Sequence, residues 1–131
     1  MESHSEVARL LRSGRSALDE TVAPVSEADL TAAEVQLSHS LPPSYREFVT
    51  LGGLAELRFK HRIMAPNEIL ETVKYIDGAR YIPFADNGCG DLYCWEKAMT
   101  QEPRVIFVDH ETKEHTVDSD SFLEWLHKNR F

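Results

Sequence analysis

Two apolar runs, Tyr81 to Ala85 and Leu92 to Glu96, are separated by a short stretch that holds Asp86, Asn87, Gly88, Gly90 and Asp91. No other feature of the sequence restricts the fold as much. Asn87-Gly88 between apolar runs is a strong local signal for a β-hairpin, because both residues tolerate the positive φ that tight turns require. The connection is longer than two residues, so Gly90 is expected to serve a bulge or a second left-handed position. The stretch predicts strand, glycine turn, strand.

Upstream of the hairpin the periodicity is mostly helical. Glu6 to Leu18 carries Val7, Leu10, Leu11, Gly14 and Leu18 at helical spacing, with Arg9, Arg12 and Arg15 on the other face. Gly14 weakens that helix by about 1 kcal/mol relative to alanine. Thr21 to Val25, with Pro24, reads as a connector. Ser26 is placed to cap the next helix, and Glu27 and Asp29 suit the positive end of its dipole. Leu30, Ala33 and Leu37 form its inner stripe. Leu41-Pro42-Pro43 ends it, since a proline disfavours helical geometry in the residue before it. Proline is tolerated in a first turn, so a further helix is expected to start there and run to about Leu51, with Tyr45, Phe48 and Val49 inward. Gly52-Gly53 is expected to supply the left-handed exit. This helix-kink-helix unit is expected to lie across one face of a sheet.

Leu57 to Ile63 alternates, with Leu57, Phe59, His61 and Ile63 on one side and Arg58, Lys60 and Arg62 on the other. Period two predicts a half-buried strand whose basic outer row deters edge pairing. Pro66 to Gly78 predicts a helix with Ile69, Leu70, Val73 and Ile76 inward. After the hairpin, Val105 to Val108 and His115 to Val117 read as strands joined by the polar turn Glu111 to Glu114. Ser119 or Asp120 is expected to cap a closing helix that buries Phe122, Leu123, Trp125 and Leu126, with Lys128 and Arg130 at its negative end. Helices, a strand, a helix, further strands and a helix do not alternate as a doubly wound sheet does. The order predicts an α+β fold with a largely antiparallel sheet.

A chain of 131 residues predicts one globular unit. That length buries about two-thirds of the unfolded surface, enough for a core without staples. No run approaches the ~20 apolar residues of a membrane span. Met1 to Glu6 has no basic region leading into an apolar one, so a secretory signal is not expected and a cytoplasmic location is. Cys89 and Cys94 flank the turn, and in that compartment two reduced thiols are expected. The net charge of −8 argues against nucleic-acid or anionic-membrane binding and suits a basic protein partner.

Asp86, Asp91, Asp109, His110 and Glu111 are the residues that invite a chemical reading, as metal ligands or as acid–base groups. Their spacing matches no metal loop. The run from Asp86 lacks the Asp/Asn rhythm and distal Glu of an EF-hand. Aspartates in a glycine turn have an ordinary use, bonding the backbone. Cys89 with His110 as base lacks any surrounding signature of cysteine catalysis, and no phosphate-binding glycine loop is present. The six histidines show no paired-ligand spacing on one helix. No catalytic residue, metal or cofactor is therefore expected. Trp95 has two readings. Turned outward, it is an interface anchor; turned inward, it is core.

Several stretches together resemble the SUKH superfamily, which contains bacterial immunity proteins and relatives of fungal cell-wall assembly regulators. Tyr81 to Ala85 with the Gly90-Asp91 pair leading into an apolar strand looks like the middle of that family. Glu34, then Leu41-Pro42, Tyr45, Phe48 and Gly52-Gly53, is similar to its Glu, Leu-Pro, Tyr, Phe and Gly series. Pro103 to Glu111 and Ser121 to Leu126 resemble its late strand and closing helix. Cys89 before the Gly-Asp pair, and Gly52-Gly53 in place of Asn-Gly, depart from the pattern. The matches span roughly residues 26 to 127. They divide the chain into an N-terminal helix and connector, 1–25, and a SUKH-like domain, 26–131.

The resemblance implies the same α+β fold and a non-catalytic binding module, an immunity protein that neutralises a toxin by occupying its surface. A basic toxin, such as a nuclease, fits the acid excess. Charge and expected exposure place the contact on Asp86, Asp91, Glu96, Asp109 and Glu111, joined by Trp95 if it faces outward. The alternative within the family is a regulatory scaffold; the fungal members carry long disordered extensions, and this sequence has none. A small metal-dependent hydrolase using Asp86, Asp91 and His110 is the third reading.

Overall fold

The computed structural model describes residues 5–14, 24–55, 59–98 and 100–130. Helix α1 spans Ser5–Gly14, α2 Glu27–Leu37, α3 Pro43–Thr50, α4 Pro66–Thr72 and α5 Phe122–Lys128. Strands β1 (Arg62–Ile63), β2 (Tyr81–Asp86), β3 (Leu92–Glu96), β4 (Val105–Val108) and β5 (His115–Ser119) form one sheet in sequence order. Every neighbouring pair is antiparallel. The fold is the α+β arrangement expected from the order of elements.

Local chemistry accounts for most element ends. Ser26 Oγ accepts from Asp29 N at 3.1 Å and caps α2. Helix α2 stops at Leu37, ahead of the prolines, because Ser38 adopts φ 55° and the N–H groups of Ser38 and His39 turn back to Val35 O and Glu34 O. Pro43 opens α3 with Pro42 extended before it. At the far end only Gly52 is left-handed, with φ 85°. Gly53 is required for space, since a Cβ there would lie 2.6 Å from the Phe48 ring. The helix expected over 66–78 is α-helical only to Thr72 and continues as a 3-10 turn, Val73–Tyr75.

Four expectations need correction or restriction. Leu57 to Ile63 is not a continuous strand. Only Arg62 and Ile63 pair with β2, while Phe59 bridges Arg130 and Lys60 N donates to Asn129 O at 2.7 Å. The segment is drawn to the end of α5 before it reaches the sheet; residues 56–58 lie outside the described residues. The cap of α5 is Ser121, not Ser119 or Asp120, since β5 continues through Ser119 and Ser121 Oγ accepts from Glu124 N at 3.2 Å. Helix α1 is described to Gly14, and Leu18 and Thr21 to Ala23 lie outside the described residues. Trp95 is 1 % exposed and packs between α3 and the sheet, so it is withdrawn from the contact residues.

Bulges fix which way the strands face. Ile82 opposes Trp95, and Ala85 opposes Tyr93, with Phe84 as the extra residue between them. Phe84 stacks on Trp95 with ring centroids 4.6 Å apart, and Tyr45 meets Trp95 edge-on at 4.9 Å. Phe122 and Trp125 from α5 complete the cluster against Phe84, at 5.2 and 5.0 Å. Such pairs add about 0.5–1.5 kcal/mol each beyond simple burial. All five helices contribute to this side, including Val7, Leu10 and Leu11 of α1. The Tyr45 hydroxyl donates to Met64 O at 2.7 Å, tying α3 to the segment before α4; burial, helped by the Glu68 carboxylate, raises its pKa well above the ordinary value.

Candidate partner-binding surface

The antiparallel order brings the β2–β3 turn and the β4–β5 turn to the same end of the sheet. Leu92, which opens β3, pairs with both Asp86 and Val108. Four of the expected contact residues, Asp86, Asp91, Asp109 and Glu111, therefore share one end. Glu96 lies at the other end of β3, opposite Tyr81, where its carboxylate takes Arg104 Nη2 at 2.8 Å.

Within the first turn Gly88 and Gly90 have φ of 81° and 101°, so Gly90 fills the second left-handed position. Asp86 Oδ1 accepts from Gly88 N at 3.0 Å, and its other oxygen takes Arg62 Nη2 at 3.0 Å. Asn87 Oδ1 accepts from Cys89 N and Asp91 N, and its Nδ2 donates to Asp91 Oδ2 at 2.9 Å. In the second turn, Asp109 Oδ1 accepts from Glu111 N at 2.8 Å and Thr112 N at 3.0 Å. These two N–H groups, Thr112 first, hold the Asp109 pKa below the ordinary carboxylate value.

One carboxylate joins the turns. Asp91 Oδ1 accepts from His110 N at 2.9 Å and from His110 Nδ1 at 2.7 Å. Those bonds, led by the backbone one, together with the bond from Asn87, pull the Asp91 pKa down to about 2. The same contact raises the His110 pKa above its ordinary value. Gly90 makes room for it, since a Cβ at that position would meet the His110 ring at 3.1 Å. Glu111 is the most open of the group, with 80 % of its side chain exposed and an oxygen 3.9 Å from His110 Nε2.

Asp91, Asp109 and His110 each bring one potential ligand atom within 4.8 Å of the others. In this structure those atoms are engaged in hydrogen bonds. Asp91 serves His110 and Asn87, and Asp109 Oδ1 serves two backbone amides. Nδ1 of His110 is committed to Asp91. The two cysteines are free thiols: Cys89 is exposed, and burial pushes the Cys94 thiol up to about 12. The arrangement is that of two turns tied together by hydrogen bonds, with Asp86 and Asp91 largely covered and Glu111 outward. Among the described residues no helix is long and apolar enough to cross a membrane.

Two residues gain weight from the structure. His110, read in the sequence as a possible ligand or base, is the joint between the turns; nothing in the spacing announces a partner on another turn. Tyr75 is 83 % exposed beside the sheet. It falls outside the Ile69, Leu70, Val73, Ile76 stripe, and an aromatic on the polar side of a helical pattern is the signal that singles it out.

The comparison with family models agrees with the resemblance carried by Glu34, the Leu41-Pro42 step and the central hairpin. The model that matches describes the SMI1 / KNR4 family (SUKH-1) and covers residues 24–128. No curated protein matches the chain. A match over that much of the sequence, with the fold expected from it, shows that the chain belongs to the SMI1 / KNR4 family (SUKH-1).

Proposed function

We propose that this chain is a non-catalytic binding module of the immunity type, which neutralises a bacterial toxin by covering part of its surface. Family membership over residues 24–128 carries the reading. The geometry of the joined turns supports it. Asp86 and Asp109 are held by hydrogen bonds from their own turns and Asp91 by bonds from both, so little side-chain entropy remains to be lost when a partner arrives. With a net charge of −8 the surface favours a basic partner and accelerates its approach. A nuclease toxin, whose own site is built for phosphates, fits this charge. The contact is placed on Asp86, Asp91, Asp109 and Glu111. Glu96 belongs to a separate patch at the other end of the sheet. The module needs no cofactor, nucleic acid or membrane in this role and works in the cytoplasm of the producing cell.

The test is protection. A toxin domain sought among the genes neighbouring this chain's own is expressed in bacteria with and without the chain. The reading expects growth only when both are present, and loss of protection when Asp86, Asp109 and Glu111 are reversed to lysine. Growth arrest that the chain does not relieve, with folded chain present in the cells, would count against it.

A further inference from the structure

The sheet has two unlike faces. The helices all pack on the side of Trp95, Tyr93 and Phe84. The other face has its own small cluster, in which Tyr81, Cys94 and Ile106 are buried with Ile76, Leu92 and Val108 around them. Ile76 is the only member from outside the strands. Tyr81, Cys94 and Ile106 are themselves buried, with His115 bonded to the Tyr81 hydroxyl at 2.9 Å, and the open part of the face is its half-buried edge, Ile76, Leu92 and Val108.

Beside it lies a cleft of about 420 Å³, with Tyr75, Ile76, Tyr81, Leu92 and Val108 among its walls. Tyr75 is 83 % exposed, and Val117, which pairs with Ile106 at the far side of the face, is 49 % exposed. The other large exposed apolar side chains, Val35 on α2 and Leu51 after α3, lie outside this cluster. Single exposed apolar residues are ordinary; an apolar cleft edged by an exposed tyrosine is the kind of feature that marks an interaction surface.

Charge selects the occupant. The cleft is bordered by Asp77, Asp109 and Lys113, with His110 and His115 also in its wall, and Glu111 and Glu114 stand exposed on the same β4–β5 turn. Arg80 is drawn over the Tyr81 ring, 5.0 Å from its centre. Carboxylates outnumber cations around the cleft, which disfavours nucleic acid and anionic lipid. A symmetric contact between two copies would bring together two rims that each carry an excess of carboxylates. A basic protein surface meets neither obstacle.

We propose that the outer sheet face anchored by Tyr75 is the apolar centre of this chain's contact with its toxin, with the carboxylates of the joined turns as its rim. This rests on the immunity reading and says where that contact is centred. The partner it fits is a loop or helix end carrying an apolar side chain flanked by lysine or arginine. The apolar side chain lies against Tyr75 and Ile76, and the cations meet Asp109, Glu111 and Glu114.

The test uses the intact chain and a basic toxin domain sought among the genes neighbouring its own. Dissociation constants are measured for the parent chain and for Tyr75→Ala, Val117→Thr and Val35→Ala, with melting temperatures to confirm folding. Tyr75 is exposed, so its replacement leaves the fold intact. Tyr75→Ala is expected to weaken binding by about 30-fold or more, as loss of an anchor does, Val117→Thr by less, and Val35→Ala not at all. Binding within twofold of the parent for Tyr75→Ala overturns the surface assignment while leaving the immunity reading intact. Failure of the parent chain itself to bind removes that reading and the assignment with it. A parent dimer that Tyr75→Ala dissolves, seen by sedimentation, shows the face to be a contact between copies and also overturns the proposal.

Discussion

Asp91 Oδ1 receives both the backbone N–H and the imidazole Nδ1 of His110, at 2.9 and 2.7 Å, and so locks the β2–β3 turn to the β4–β5 turn. Both groups titrate away from their ordinary values, in opposite senses. His110, raised, contributes stability that is complete below about pH 6.5 and is lost as pH rises through its folded value. Asp91, lowered to about 2, contributes stability that is present above about pH 4 and is lost as pH falls toward that value. The joint is therefore strongest between about pH 4 and 6.5. An NMR titration of His110 is expected to give a pKa above 6.5 in the parent chain and a lower one in Asp91→Asn. Equal values in the two proteins would contradict the assignment.

Glu34 organises the link between α2 and α3. Its carboxylate accepts from Leu41 N at 2.7 Å and pairs with Arg46 Nη1 at 2.7 Å. Glu34→Ala leaves a partly buried amide without an acceptor and is expected to cost about 1–3 kcal/mol in urea unfolding. Glu34→Gln keeps an acceptor for Leu41 and loses only the charge on Arg46, so its cost is expected to be smaller. Equal losses would mean that the ion pair, not the amide bond, matters.

Gly53 and Gly88 should respond oppositely to substitution. Gly53 faces the Phe48 ring at 2.6 Å, whereas Gly88 has open space and φ 81°. Gly53→Ala is expected to cost about 1–3 kcal/mol by overpacking, and Gly53→Asn more. Gly88→Ala is expected to cost about 1–2 kcal/mol through backbone strain, and Gly88→Asn less, since asparagine tolerates that region. Unfolding curves of the four variants decide the matter.

The thiols offer a chemical check. Cys89 is exposed on the turn, and Cys94 is buried with its pKa pushed up to about 12. A thiol reagent at neutral pH is expected to modify Cys89 quickly in the folded protein and Cys94 only after denaturation. Rapid reaction of both would show that the outer sheet face opens.

Much of this was legible in the residues. Asn87-Gly88 placed the hairpin, Pro43 the start of α3, and Ser26 the start of α2, because each acts on backbone geometry within a few positions. The misses involve distant partners. Phe59 and Lys60 alternate like strand residues, but they bond Arg130 and Asn129 at the end of the chain. The facing of Trp95 depends on the register of β3 against its neighbours, which hydrophobic pattern alone does not reveal. The carboxylates of the candidate surface were legible as turn residues. Their division between two ends of the sheet, with Glu96 apart, follows only from the strand order.

The proposed immunity role is tested most directly by a calorimetric titration of the intact chain into a toxin domain sought among the genes neighbouring its own, at low and moderate salt. The expected result is a one-to-one complex, weaker as salt rises, in which the toxin's activity is lost in step with binding. Absence of heat at either salt, with the chain folded and the toxin fully active, would contradict it.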